Sequence, residues 1–464
     1  MKRFIYISVS LTYLVLALMT SGCSDDSTGP KPTDEPKHLW SKRFGDTDEQ
    51  DATSTACDGL GNVIVTGDFD GTVDFGGGPL TSAGGYDIFL AKLDANGNHL
   101  WSKRFGDADY QYSESVACDG SGNVTATGHF RGTVDFGGGP LTSEGDTDIF
   151  IVQFDANGNH LWSKRFGGSD RQYGLSVACD GLGNVIVTGY FKGTVDFGGG
   201  LLTCAGEPDI FLVKFDNDGG HLWSKRFGDG NGQRCTSVVC DGSGNVIATG
   251  NFNGTVDFGG GPLTSAGGND IFLAQFDANC NHLWSKSFGD ADLAQFATGI
   301  ACDGLGNVIA TGDFDGTVDF GGGPLTSAGE YDIFLAQFDA NGNHLWSKRF
   351  GDASAQWGNS VACDGSGNVI VTGNFKGTVD LGGGPLTSAG VYDNDIFLAQ
   401  FDVNGNHLWS KHFGDEDTQY GESVACDGSG NVIVTGSFYS TVDFGGRSLT
   451  SAGDEDIFVA KFRL

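Results

Sequence analysis

Apolar and polar residues alternate along this chain in short runs, and the runs recur in one order from residue 38 to the C-terminus. Each period holds four runs of strand length. In the second copy, Ser115-Val116-Ala117-Cys118 leads through Asp119-Gly120-Ser121-Gly122 into a run opening at Asn123-Val124. A glycine-rich link (GTVDFGGGPLTSEG) precedes the run Asp148 to Phe154. Asp155-Ala156-Asn157-Gly158-Asn159 then turns the chain into His160 to Phe166. Asp-Gly and Asn-Gly between apolar runs are strong hairpin signals, because these residues tolerate the positive φ of tight turns. No stretch carries a sustained helical period with caps. The pattern predicts four antiparallel strands per period, named A to D here.

The triplet His-Leu-Trp marks the period at His38, His99, His160, His221, His282, His344 and His407, at spacings of 61 to 63 residues. A fixed period of this size means a repeated unit that buries a face against its neighbours. Four-stranded units repeated radially make a propeller, which protects sheet edges. Strand A recurs seven times, with Cys57, Cys118, Cys179, Cys240, Cys302, Cys363 and Cys426, and strand C seven times, from Asp87 to Asp456. Six D strands follow a C strand, and the seventh is the opening segment at His38. The expected fold is all-β: a seven-bladed β-propeller of four-stranded blades over residues 38–464. Pairing of His38–Gly45 with Asp456–Phe462 would close it, where an open solenoid would leave both edges bare.

Composition sharpens this picture in two places. Of 35 Phe, 33 fall at five repeated positions, and seven of eight Trp lie in His-Leu-Trp, so the aromatic residues read as packing groups. The net charge of −33 argues against a nucleic-acid partner and against docking on anionic lipid through the protein surface.

The first residues follow different rules. Lys2 and Arg3 precede an apolar run, Phe4 to Met19, too short to span a bilayer comfortably. Residues 1–22 read as a signal peptide. Thr20-Ser21-Gly22-Cys23 resembles the bacterial lipoprotein cleavage box, with Thr20 where Leu is usual, which implies a lipid on Cys23. Ser24-Asp25-Asp26 resembles the acidic export signal of some surface lipoproteins. Residues 23–37 then form the lipidated cysteine and a polar, proline-bearing tether. The expected location is the bacterial cell envelope, extracytoplasmic, lipid-anchored at the outer membrane or cell surface.

The stretches SVACDGxGNVIVTG and DIFLAKFDANGNHLW are similar to the bacterial seven-bladed β-propeller (SBBP-type) repeat family, over nearly all of residues 38–464. That resemblance implies the propeller fold and common extracellular or envelope placement, but no single activity. One hairpin, with Asp-x-x-x-Gly before the Trp, also resembles quinoprotein-type repeats. Envelope lipoproteins that assist outer-membrane protein assembly carry that repeat.

The repeated residues offer little chemistry. Seven equivalent histidines spread round a ring cannot converge on one metal, and His129 and His412, outside that series, lack a paired nucleophile. The strand A cysteines read as buried thiols. Cys204, Cys235 and Cys280 fall outside the pattern. Cys204 and Cys235 should lie near one face, leaving a disulfide or free thiols open. Asp94-Ala95-Asn96-Gly97-Asn98 has some likeness to a calcium loop but lacks spaced carboxylates and a terminal Glu. The Lys-Arg pairs of strand D, such as Lys103-Arg104, would discourage edge pairing. No cofactor and no metal are expected.

Differences between copies are more informative. They gather in the D–A loop, the end of strand B and the start of strand C, which share one face of a propeller. Every D–A loop keeps a Gln, including Gln111, Gln172, Gln356 and Gln419, and an aromatic follows in five: Tyr112, Tyr173, Phe296, Trp357 and Tyr420. The end of strand B varies as Asp68, His129, Tyr190, Asn251, Asp313, Asn374 and Ser437. The candidate ligand-binding residues are those four glutamines and five aromatics with Asp68, His129 and Asp313. A monomeric, non-enzymatic module is expected, binding an envelope protein or polysaccharide through this face. A scaffold in an envelope assembly complex is the alternative. An enzyme, a lyase or quinone-dependent oxidoreductase, ranks third, because catalysis needs asymmetric groups in one pocket.

Overall fold

The computed structural model describes residues 35–291, 294–390 and 393–464. The signal peptide, Cys23 and the tether up to residue 34 lie outside the described residues. The described residues form seven four-stranded antiparallel sheets. In blade 2, strand A is Gln111–Cys118, strand B Val124–Phe130, strand C Asp148–Phe154 and strand D His160–Phe166, each paired with the next. Blade 7 takes its A, B and C strands from Gln419–Cys426, Asn431–Phe438 and Asp456–Arg463, and its D strand from Lys37–Phe44. Trp40 stands opposite Lys461 and Phe44 opposite Ile457. Neighbouring A strands pack together all the way round, blade 7 against blade 1 included. The ring closes through its shared blade, as the repeat order requires.

Two expectations need correction. The glycine-rich link is not plain loop: in blade 2, Thr133–Val134 pairs with Leu141–Thr142 as a short ribbon between strands B and C. Two residues are too few to show alternation, so the pattern hides it. The ribbon carries Phe136, whose ring lies 4.8 Å from Phe105 of blade 1 and 4.9 Å from Phe150. Strand A also starts earlier than its apolar run, at Gln111 rather than Ser115, with a bulge between Ser113 and Ser115. Gln111 and Tyr112 therefore lie on a strand, not in the D–A loop.

Strands B and C are buried on both faces. Alternation sends successive residues to different neighbours. Phe150, Val152 and Phe154 join Ile64, Ile88 and Leu90 of blade 1, whereas Ile149 and Ile151 join Val185, Val187 and Phe191 of blade 3. Each such buried side chain contributes about 1.5–3 kcal/mol. Tryptophan links the blades along the turn face. Trp40 Nε1 donates to the Ala95 carbonyl at 3.1 Å and Trp101 Nε1 to that of Ala156 at 3.2 Å. Gly97 has a φ of 80°, and a Cβ there would sit 3.0 Å from the Trp40 ring. Cys280 fills the matching left-handed position of blade 4 at a φ of 62°.

The arginines of strand D turn inward rather than guarding the edge. Arg43, Arg104, Arg165, Arg226 and Arg349 pair with the fully buried Asp456, Asp87, Asp148, Asp209 and Asp332 that open strand C. No disulfide forms between Cys204 and Cys235. The Gly193 N–H donates to Cys204 Sγ at 3.1 Å, and the buried Cys235 thiol donates to the Thr249 carbonyl at 3.3 Å. Burial pushes the Cys57 thiol up to about 12, so the strand A cysteines stay neutral.

The closing strand carries as much load as any other. Phe44→Ala should cost about 3–5 kcal/mol, matching Phe105→Ala in blade 1. Denaturant unfolding checks this, and an unchanged midpoint for Phe44→Ala alone would contradict a closed ring.

Candidate functional site

The residue after each glutamine on strand A stands directly opposite the variable residue of strand B. The seven cross-strand pairs are Asp51–Asp68, Tyr112–His129, Tyr173–Tyr190, Arg234–Asn251, Phe296–Asp313, Trp357–Asn374 and Tyr420–Ser437. They ring the mouth of the central channel, on the face away from the A–B and C–D turns. The channel itself is a cavity of 150 Å³ lined by strand A residues such as Ser54, Ser115, Ser176, Glu114 and Glu422. Serine hydroxyls stitch neighbouring blades there: the Val116 N–H donates to Ser54 Oγ at 3.2 Å.

The glutamines lie beneath this rim. Gln111, Gln172, Gln356 and Gln419 are fully buried. Gln111 Nε2 donates to Asp107 Oδ1 at 2.9 Å and to the Arg131 carbonyl at 3.0 Å, while its Oε1 accepts the Asp107 N–H. Gln172 reaches the Lys192 carbonyl, Gln356 that of Lys376 and Gln419 that of Tyr439 in the same way. Their amides tie the D–A loop to the end of strand B, which takes them out of the contact surface. What they do is hold the neighbouring variable residue in place.

The aromatic candidates divide. Tyr112 stacks on His129 at 5.1 Å, His129 meets Tyr173 at 4.5 Å and Tyr173 stacks on Tyr190 at 4.8 Å. Arg234 caps this row 4.7 Å over Tyr190, and Tyr86 and Tyr110 extend it at the other end. A 290 Å³ pocket opens beside the row, walled by Tyr110, Tyr112, His129 and Tyr173 with Arg131 and Arg171. Both arginines pair with Asp146, at 2.7 and 2.5 Å, which holds that carboxyl below its usual range. Phe296 instead neighbours Tyr331 at 6.2 Å, and Trp357 lies under Lys376 at 5.9 Å, each on its own blade.

Across blades 7, 1 and 2 the rim is acidic. Glu49, Asp51, Asp68, Glu114, Glu422 and Glu455 gather there, and burial together with these neighbouring carboxylates raises the pKa of Asp51, Asp68, Glu422 and Glu455. Burial, with Asp51 and Glu455 nearby, pushes Glu422 up to about 8; burial and Asp51 push Glu455 to about 7. Burial and the surrounding carboxylates hold Asp68 well above the ordinary range, and burial lifts Asp313 to about 7. His129 Nδ1 sits 3.2 Å from Glu114 Oε1. Among the described residues no Lys or Arg forms an ion pair with any of the six. The sequence pattern misses this group because its members come from five positions of the repeat and three different copies. Tyr86 and Tyr110 escape for the same reason: each is the residue just before a repeated one.

Wider grooves of 730 and 620 Å³ run between blades on the opposite face. Their walls, such as Trp284, Asp241 and Asn341, are strand D and turn residues present in nearly every copy, so they express the repeat rather than a singular site.

No protein-family model matches the chain. A WD repeat-containing protein of Acanthamoeba polyphaga mimivirus is 24% identical over 86% of this chain and 36% of its own length. The regulatory protein FlaEY of Caulobacter vibrioides is 29% identical over 39% of this chain and 19% of its own. The chain thus spans about a third and a fifth of these relatives. Among solved structures, Sqt1 from Chaetomium thermophilum superposes with a TM-score of 0.40 at 12% identity, covering 90% of this chain and 85% of that one. A luciferin-regenerating enzyme gives 0.37 at 11% identity, over 76% and 92%. The chain is a seven-bladed β-propeller with a WD repeat-containing relative.

The raised carboxylates carry a pH signature. Glu422 and Glu455 hold protons in the folded ring at pH values where the unfolded chain, near 4.5, has lost them. Their contribution to stability is full below about 4.5 and is lost as pH rises through 7 to 8. The melting temperature should therefore fall between pH 5 and pH 8.5, and Glu422→Gln should recover about 1–3 °C at pH 8.5 but nothing at pH 5. Calorimetry at the two pH values decides it.

Proposed function

We propose that this chain is an extracytoplasmic, lipid-anchored binding module of the bacterial cell envelope, which engages an envelope protein or polysaccharide through the mouth of its propeller. One observation carries the reading: the seven cross-strand pairs at the mouth differ from blade to blade within a ring whose turns, cores and inter-blade bonds repeat. Variation there costs the core little, since none of these side chains belongs to the apolar clusters between blades. Tyr, Trp and Arg at the rim supply contact area at low entropic cost. The likeness to the SBBP-type repeat and the lipoprotein-like box at Cys23 support envelope placement. Lys37, where strand D of blade 7 begins, lies on the turn face.

The scaffold reading has its own support, in the half-exposed Leu100, Leu161, Leu222, Leu283 and Leu345 along the outer strands. The two separate by mutation. In affinity capture from envelope extract and polysaccharide pools, the full chain should retain its partner. The Tyr112, Tyr173, Trp357 and Tyr420→Ala variant should lose at least tenfold. Equal capture by both would remove the mouth from consideration, and loss on Leu100, Leu161 and Leu222→Ser would point to the rim.

A further inference from the structure

Resting on the mouth as the binding surface, we propose that its acidic quadrant over blades 7, 1 and 2 receives a lysine or arginine side chain of a partner protein. Asp51 and Asp68 face each other across strands A and B, an arrangement that is destabilising unless a cation lies between or above them. The Asp68 side chain lies in a residue only 8% exposed, and its carboxyl makes no hydrogen bond among the described residues. Asp51 Oδ1 is shut off from solvent and also lacks a partner. The Asp51 carboxyl otherwise meets the Ser437 hydroxyl and the Ala52 N–H, and the charged groups that act on the pair are all carboxylates, so no cation balances it. The arginines nearest along the rim do not supply it, because Arg131 and Arg171 are held by Asp146.

The walls select the kind of cation. A metal ion needs several carboxylate, imidazole or thiolate ligands in one coordination sphere, and no three such groups converge among the described residues. An organic cation is larger and bridges carboxylates set further apart. Tyr86 and Tyr112, with ring centres 5.8 Å apart, flank the quadrant on the blade 2 side, and aromatic faces attract ammonium and guanidinium groups. Tyr420 and Tyr439 border it on the blade 7 side, each close enough to feel Glu455. Asp68 is 8% exposed, so a charge carried on a long flexible stem can reach it. An amine borne directly on a sugar ring has no such stem.

Calorimetric titration of the full chain at pH 8 and 150 mM salt tests this with hexalysine, fully N-acetylated hexalysine and a glucosamine hexamer. Hexalysine should bind and its acetylated form should not. Asp51→Asn with Asp68→Asn should weaken hexalysine at least tenfold, while the charge-matched control Asp218→Asn with Glu330→Gln stays within twofold. The double variant should also melt no lower than the parent, since it removes repulsion, so lost binding cannot be lost folding. Equal binding of the acetylated peptide, equal loss in the control, or unchanged binding by the double variant overturns the proposal. Preference for the glucosamine hexamer overturns the choice of a protein side chain. Capture that depends on the four aromatic residues, together with no hexalysine binding, would leave the mouth as the binding face and reject the cation.

Discussion

Everything in this ring depends on burying strands B and C from both sides. A single four-stranded sheet has two apolar faces, and neither is covered by the blade's own residues. Ile149 and Ile151 need blade 3, and Phe150, Val152 and Phe154 need blade 1. A blade is therefore stable only between two others, and the row of blades is stable only when it closes. Closure through Lys37–Phe44 and Asp456–Arg463 makes the first and last parts of the chain one sheet, so end fraying would require breaking a complete blade.

That constraint explains what the sequence reveals and what it conceals. Residues answering to two neighbours at once must keep their size and alternation, and so the strands, their order and the shared closing blade can all be read from the repeat. Lys92 shows the limit. It lies in a run buried on both faces, where only pairing with Asp58 at 2.9 Å makes its charge tolerable, and no local pattern announces that partner. The arginine pairs behave likewise: Lys103-Arg104 looks like an exposed charge doublet, yet Arg104 reaches the buried Asp87 across the sheet. The ribbon at Thr133–Val134 is too short to leave a period. At the mouth, comparing copies picks out the variable residues but assigns Tyr112 and its equivalents to a loop and leaves their cross-strand pairing unseen. Burial of Gln111 and its equivalents, however, is a tertiary fact that a conserved amide in an apparent loop does not disclose.

The glutamines and the variable residues beside them divide the labour. Gln111 fixes the D–A loop to the end of strand B through three hydrogen bonds, so the backbone at Tyr112 and His129 keeps one geometry in every blade. A constant frame lets the exposed side chain change without moving its neighbours. The same frame carries a carboxylate pair in blade 1, a Tyr-His pair in blade 2 and a Tyr-Tyr pair in blade 3. Asymmetry, which a sevenfold repeat denies to its core, becomes available at the mouth, outside the apolar clusters that join the blades.

The acidic quadrant uses that freedom to an unusual degree. Like charges across strands oppose folding, and burial compounds the cost by favouring the protonated form, as at Glu422. A marginal domain could not hold Asp51 against Asp68. A closed ring can, because the apolar contacts between blades are numerous and do not involve these positions. The local conflict sits where the structure is most able to bear it and where a ligand could relieve it. Positions where like charges crowd together against the interest of folding are thus the ones to which function is most reasonably assigned, and these carboxylates lie on three adjoining blades.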